Sequence, residues 1–219
     1  MSDIQVHLIE AVVRGRYLLR PASGAPAGLL VGFHGYGESA TSHLEALLEI
    51  PGVESWTVAS IQGLHLFYTR SGEVVASWMT KLDREAAIED NISYVRSAVG
   101  EILESAEIDG PLVYAGFSQG VAMAYRTAAN AGHRCSGLIA LAGDVPPELA
   151  ERDLAAFPRV LIGRGSSDSW YSEEKLTADV QLLRGKGVEV DFERFAGGHE
   201  WSPAFHERCA ELLKNLTSG

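Results

Sequence analysis

Leu112-Val113-Tyr114-Ala115-Gly116-Phe117-Ser118-Gln119-Gly120-Val121-Ala122-Met123-Ala124-Tyr125 is the stretch that decides the fold. Its first six residues form a short apolar run of the kind found in strands covered on both faces, and from Gln119 to about Asn130 the pattern predicts a helix. Between the two, Gly116-Phe117-Ser118-Gln119-Gly120 has the form G-x-S-x-G. In a chain with 23 glycines that string is weak on its own, and its place at a strand-to-helix junction is what gives it meaning. So sharp a turn strains the backbone of the serine and lifts its hydroxyl above the sheet, while the flanking glycines leave room for neighbouring elements. The helix after it presents its amino end to any oxyanion formed there. Ser118 is therefore the candidate nucleophile, and the bland alternative is a glycine-rich turn with an incidental serine.

Outward from this junction, strands alternate with helices. Upstream, Leu29 to Phe33 is a second continuous apolar run, followed by a helix from Thr41 to Glu49, a strand from Trp56 to Ile61 and an amphipathic helix from about Arg84 to Glu104. Downstream, Gly137 to Leu141, Val160 to Ile162 and Val188 to Phe192 read as strands, with helices near Glu173 to Arg184 and Ala204 to Asn215. At the amino end Gln5 to Val13 alternates apolar with polar residues, and Tyr17 to Leu19 follows the turn signal Arg14-Gly15-Arg16, so an antiparallel hairpin is expected there. The alternation implies an α/β chain: a mainly parallel sheet with helices on both faces and a site outside the carboxyl ends of the strands. Residues 1–219 read as one domain without repeats, and little chain is left over for a large lid.

A G-x-S-x-G junction in such a sheet defines the nucleophile turn of an α/β-hydrolase fold, where the chain order is Ser, acid, His. A serine hydroxyl needs an imidazole to take its proton and a carboxylate to hold that imidazole in the right tautomer. Gly197-Gly198-His199 follows the last predicted strand on a glycine-loosened loop, which makes His199 the candidate base. His206 competes for the role but falls inside the final helix. Two aspartates follow strands after Ser118. Asp168, at the end of Gly163-Arg164-Gly165-Ser166-Ser167-Asp168, follows the strand before the final strand-helix unit and is preferred as the acid. Asp144, just before Val145-Pro146-Pro147, is read as a loop or capping residue.

His34-Gly35-Tyr36-Gly37 follows the strand ending at Phe33, where this fold places an oxyanion-binding amide. The backbone NH groups of Tyr36 and Gln119 are thus the expected oxyanion hole, with Gly35 and Gly37 shaping the loop and the His34 side chain in a structural hydrogen-bonding role. Leu64, Leu66, Phe67, Trp78, Trp170 and Trp201 are candidates to line an acyl pocket. Each is equally well explained as core.

Composition narrows the partners. The formal net charge of −11, with no local cluster of Lys and Arg, argues against nucleic acid and anionic membranes. No apolar run approaches the roughly 18 residues that spanning a bilayer requires, so stable membrane insertion is not expected. The amino-terminal stretch that opens Met1-Ser2-Asp3 carries no export signal, and Cys135 and Cys209 have neither metal-ligand nor disulfide-framework spacing, which favours reduced thiols and the cytoplasm. No metal site is expected, because His199-Glu200 does not continue as H-E-x-x-H.

Several of these motifs together resemble the phospholipase/carboxylesterase family, which includes acyl-protein thioesterases. The resemblance runs from Leu29 to the C-terminus. It rests on His34-Gly35-Tyr36-Gly37-Glu38-Ser39, on Ser77-Trp78 with Ile88-Glu89-Asp90-Asn91, on Gly116 to Gly120, on Gly165-Ser166-Ser167-Asp168-Ser169-Trp170-Tyr171, and on Gly198-His199. It implies a hydrolase of carboxylic esters, lysophospholipids or acyl thioesters with no metal or organic cofactor, and the same roles for Ser118, Asp168 and His199. The family often has Leu at the position of Tyr36, Asp at Glu38 and His at Arg164. The expected activity is hydrolysis of small to medium esters or thioesters through an acyl-enzyme on Ser118, with self-association left open. The rivals are a serine peptidase or acyl transferase on the same fold, and a non-catalytic protein that uses the pocket to bind a ligand.

Overall fold

The structure is a computed structural model and describes residues 4–218; the opening Met1-Ser2-Asp3 and Gly219 lie outside the described residues. In chain order the elements are β1 (Tyr17–Arg20), β2 (Leu29–Phe33), α1 (Ala40–Leu48), β3 (Thr57–Ile61), β4 (His65–Tyr68), β5 (Val74–Ser77) and α2 (Arg84–Ser105). They continue with β6 (Leu112–Phe117), α3 (Gln119–Asn130), β7 (Gly137–Leu141), β8 (Arg159–Gly165), α4 (Glu173–Gly185), β9 (Val190–Phe195) and α5 (Pro203–Thr217). Seven strands form one sheet in the order β1-β3-β2-β6-β7-β8-β9, and β4 and β5 form a separate ribbon.

The apolar runs mark strands with two covered faces. Every residue of β2, β3, β6 and β7 is buried. Alternate side chains point to opposite sides of a strand, and both sides find helices. On one face Leu29, Val31, Phe33, Tyr114 and Leu138 pack with Val95 and Val99 of α2, Val121 and Tyr125 of α3, and Leu176 and Leu183 of α4. On the other, Leu30, Val113, Ala115 and Ile139 pack with Leu47 of α1 and Phe205, Cys209 and Leu213 of α5. Three helices begin on serine caps: the side chain of Ser39 accepts from the Ser42 amide in a capping box, that of Ser172 accepts from the Lys175 amide, and that of Ser202 accepts from the Phe205 amide ahead of Pro203. No described helix is long and apolar enough to cross a membrane.

All strands of the main sheet are parallel to their neighbours except β1, which pairs antiparallel with β3. Antiparallel pairing at the amino end is thus present, but with a partner other than the expected one. Gln5 to Val13 forms no strand and is exposed throughout. The local cause is that the chain does not turn at Arg14-Gly15-Arg16. The Arg16 carbonyl accepts from the Gln62 amide and from the Tyr94 hydroxyl, which continues the β1–β3 ladder outward, and Gly15 lies so close to the Tyr94 ring that a Cβ would stand 2.1 Å from it.

The register brings the carboxyl ends of the central strands level: Phe33 pairs with Gly116, Phe117 with Leu141, and Leu141 with Gly163. The chain leaves β2 toward β3 on one side, while β6 lies on the other. Such a reversal opens a crevice above the sheet where ligands bind in this class of structure.

Candidate active site

Ser118 sits in that crevice at φ 52 and ψ −117, a conformation that costs a non-glycine residue free energy and survives only where its surroundings dictate it. Here close backbone approaches dictate it. A Cβ on Gly120 would lie 1.9 Å from the Phe33 carbonyl oxygen, one on Gly116 2.5 Å from the Gly120 oxygen, and one on Gly143 2.4 Å from the Ser118 oxygen. The Ser118 amide donates to Leu141 O at 2.9 Å, which ties the turn to β7. With Ser118 at the N-cap and no side-chain cap bond, its hydroxyl is left free.

Asp168 and His199 come together from two loops that follow β8 and β9. Asp168 Oδ2 lies 2.8 Å from His199 Nδ1. Asp168 Oδ1 accepts from the amides of Trp170 at 2.8 Å and Tyr171 at 3.0 Å. Burial alone would push this carboxyl upward, but the Tyr171 amide, the His199 hydrogen bond and the Trp170 amide outweigh it and hold it below the ordinary aspartate range. The loops themselves are joined by Ser166 N to Phe195 O and Ser167 N to Gly197 O, both 2.8 Å, and Gly165 admits no Cβ because Gly198 O would stand 2.0 Å away. The His199 ring packs against Phe117, the residue before the serine, at 5.0 Å between centroids. The Ser118 hydroxyl and His199 do not share a hydrogen bond; such bonds often form only once substrate is bound. The alternatives to Asp168 and His199 lie elsewhere. Asp144 pairs with Lys175 at 3.1 Å, and His206 is buried in α5, its ring stacked on Trp201.

On the opposite wall the loop from His34 to Glu38 lies against the serine: a Cβ on Gly35 would be 3.3 Å from Ser118 Cβ. Among the described residues the backbone NH groups of Tyr36 and Gln119 find no hydrogen-bond partner, as an oxyanion hole requires. His34 is buried, its Nε2 accepts from the Gly63 amide at 3.0 Å and its Nδ1 faces Gly35 O at 2.7 Å, so Nδ1 carries the proton and burial keeps the ring neutral. Two side chains here escaped the sequence reading. Glu38 Oε2 accepts from the Gly35 amide at 2.7 Å and closes the loop on itself; burial raises its carboxyl above the usual range against the opposing pull of Gly35 and His199. The Gln119 side chain accepts from Trp78 N at 2.9 Å and Ser77 Oγ at 3.2 Å and donates to Met79 O at 3.0 Å, which anchors the start of α3 to the end of β5. A polar residue in the first turn after the nucleophile was the only signal for that clamp.

The pocket candidates divide. Leu66 and Phe67 stand on β4, and β5 is laced to the loop from His34 to Glu38 by Gly37 N to Ala76 O at 3.0 Å and Ala76 N to Glu38 O at 2.8 Å. Phe67 meets the Tyr36 ring at 5.3 Å. Of the other candidates for the crevice, Leu64 is half-buried, and Leu66 and Trp170 are exposed. Trp78 does not line it. It is fully buried, packs edge-on against Phe33, and spends its indole NH on His34 O at 2.9 Å, so it supports the loop from behind. Trp201 packs between His43 and His206 on the α1/α5 side. Among the described residues no group of His, Cys, Asp and Glu is arranged to hold a metal ion.

A mainly parallel sheet of this order, covered by helices on both faces and with a strained serine between strand and helix, defines an α/β-hydrolase. The match of residues 20–168 to the phospholipase/carboxylesterase family model narrows this further, and the chain belongs to that family. The solved structures it resembles include the esterase PE8, with a TM-score of 0.77 at 20% identity over 93% of this chain and 100% of that one. A carboxylesterase from Mesorhizobium loti gives a TM-score of 0.75 at 20% identity, covering 91% of this chain and 94% of the other. In sequence the chain is 32% identical over 165 residues to a protein of Nocardia uniformis subsp. tsuyamanensis named "Putative esterase NocK"; the match takes in 69% of this chain and 45% of that protein's length.

Proposed function

We propose that the chain is a serine carboxylesterase that hydrolyses carboxylic esters or thioesters of small to medium acyl groups through an acyl-enzyme on Ser118. The observation that carries this reading is the 2.8 Å pair between Asp168 Oδ2 and His199 Nδ1 beside a serine held at φ 52. With Nδ1 bonded to the carboxylate, Nε2 is the nitrogen free to take the serine proton. Ser118 Oγ attacks the carbonyl carbon as its proton passes to His199, and the carbonyl oxygen takes the charge toward the amides of Tyr36 and Gln119. Collapse of this intermediate breaks the ester or thioester bond, and His199 returns the proton to the departing alcohol or thiol. Water then attacks the acyl-serine by the same route and releases the acid and the free hydroxyl. The steps use protein groups and water alone. Leu64, Leu66, Phe67, Tyr36 and Trp170 are the apolar border that would receive an acyl chain or an apolar leaving group, a role supported by the contact of the Tyr36 and Phe67 rings at 5.3 Å. The unpaired Cys135 and Cys209 fit a reducing compartment, so a cytoplasmic setting belongs to the same reading.

The test is turnover of a p-nitrophenyl ester series from acetate to laurate, with fluorophosphonate labelling and intact mass to locate the modified residue. Turnover with a label on Ser118 is the expected result, and the chain-length optimum reports how much of the apolar border the acyl group uses. Neither turnover nor labelling in folded protein would favour the ligand-binding alternative.

A further inference from the structure

Behind the acid loop lies a buried cation that the proposed mechanism does not use. Arg164, on β8 one residue before Gly165, is 8% exposed. Its Nε donates to Tyr171 O at 2.8 Å and its Nη2 to Asp168 O at 3.4 Å, while Nη1 stands 3.3 Å from Glu173 Oε2. The two carbonyls bound by the guanidinium close the segment from Asp168 to Tyr171, whose amides at Trp170 and Tyr171 hold Asp168 Oδ1. Tyr171 is pinned a third time, its hydroxyl donating to Asp179 Oδ2 at 2.9 Å.

The guanidinium is itself oriented. Glu173, the first residue of α4, also accepts from Arg194 Nε at 3.0 Å, and Arg194 is the partner of Arg164 in the β8–β9 register and lies over the Phe192 ring at 4.6 Å. Burying a cation is costly unless it is paired, and the preceding residues Val160, Leu161 and Ile162 show that an apolar side chain would serve the strand equally well. What an apolar residue, or a lysine, could not do is present several donors in a rigid plane to two carbonyls and a carboxylate at once.

We propose that Arg164 is a positioning residue for the acid: by holding the carbonyls of Asp168 and Tyr171 it sets the direction in which the Asp168 carboxylate meets His199. The proposal rests on the reading of Asp168 as the acid of the triad. Arg164 touches neither substrate nor His199, so its influence passes through that one carboxylate.

Arg164→Gln and Arg164→Lys, each alone and combined with Asp168→Asn, test this by steady-state hydrolysis of a p-nitrophenyl ester. A misaimed carboxylate is expected to lower kcat by about 10- to 100-fold in Arg164→Gln, with KM changed less than about twofold. Arg164→Lys should fall between this variant and the wild type, and it carries the same test should the glutamine variant fail to fold. In the Asp168→Asn background neither substitution should have a further effect, because the route by which Arg164 acts is already cut. Equal losses in both backgrounds, or wild-type kcat in a folded Arg164→Gln protein, would overturn the proposal. Wild-type kcat in Asp168→Asn alone would instead remove the acid assignment, and this inference with it.

Discussion

The turn that carries Ser118 is held by backbone sterics, whereas the carboxylate of Asp168 is aimed by hydrogen bonds. Around the serine, β6 is buried from Leu112 to Phe117, and three glycines let strand, helix and the next loop approach to distances no side chain tolerates. Strain at Ser118 is therefore coupled to the core, and the turn cannot relax without moving β2, α3 or β7. The loops of Asp168 and His199 also meet at a glycine contact, but the direction of the carboxylate depends on the Trp170 and Tyr171 amides and on Arg164. Such bonds contribute about 1 kcal/mol each and can be lost one at a time. Added bulk at the glycines of the first region should thus appear as instability, and lost hydrogen bonds in the second as lost turnover in a folded protein.

The largest expected effect is Ser118→Ala, which should lower kcat by about 10³- to 10⁶-fold while thermal unfolding stays near that of the wild type. Near-normal turnover in the purified variant would end the serine assignment. Asp168→Asn should rank second, with kcat reduced by about 10³- to 10⁴-fold, against less than about twofold for Asp144→Asn, whose carboxylate pairs with Lys175 in solvent. The reverse ranking would move the acid one strand earlier and remove the contrast between the two regions.

Gly120→Ala tests the steric side. With the Phe33 oxygen 1.9 Å from the new Cβ, α3 must separate from β2, and unfolding in urea should show a loss of at least about 2 kcal/mol. Wild-type stability would mean that the elbow yields more easily than the close contacts imply.

The smallest effect concerns pH. Burial is the chief cause that pushes the Asp179 carboxyl up to about 6 from 3.8. A carboxyl raised on folding stabilises fully below its unfolded value, and this contribution is lost as pH rises through the folded one. Asp179→Asn cannot titrate, so its stability relative to wild type should rise between pH 4 and 7, by about 1 kcal/mol after allowance for solvent screening. Parallel Tm-against-pH curves for the two proteins would contradict a charge held in that site.

The two regions also differed in how they could be read. The bounds of β6 and α3 match the sequence expectation, because continuous apolar character and the glycine spacing are local and the steric demand falls on those same residues. Asp168 and His199 were named as candidates through chain order, and their side chains meet at 2.8 Å. The strand expected from Val188 to Phe192 starts at Val190 and runs to Phe195, since Asp191, Glu193 and Arg194 break the apolar run that would mark its bounds. Gln5 to Val13 carries the alternation of a strand, yet nothing in that alternation shows that Gln62 and Tyr94 occupy the Arg16 carbonyl. The β4–β5 ribbon was missed because Leu66 and Phe67 sit in a stretch of only four strand residues, which takes shape through its pairing with β5.

Local pattern in the chain was enough for the strand-helix alternation from β2 onward, apart from β4 and β5, for the burial of the central strands on two faces, and for naming Ser118, Asp168 and His199 as candidates, since periodicity and glycine placement act between near neighbours. Tertiary packing was needed to reveal that Trp78 supports the His34–Glu38 loop from the core, that Glu38 closes it, that the Gln119 side chain clamps β5, and that Arg164 grips the loop of Asp168. Such contacts join groups on separate elements whose donors and acceptors meet only after the sheet has brought their loops side by side, and no local pattern in the chain records which carbonyl a buried guanidinium will face.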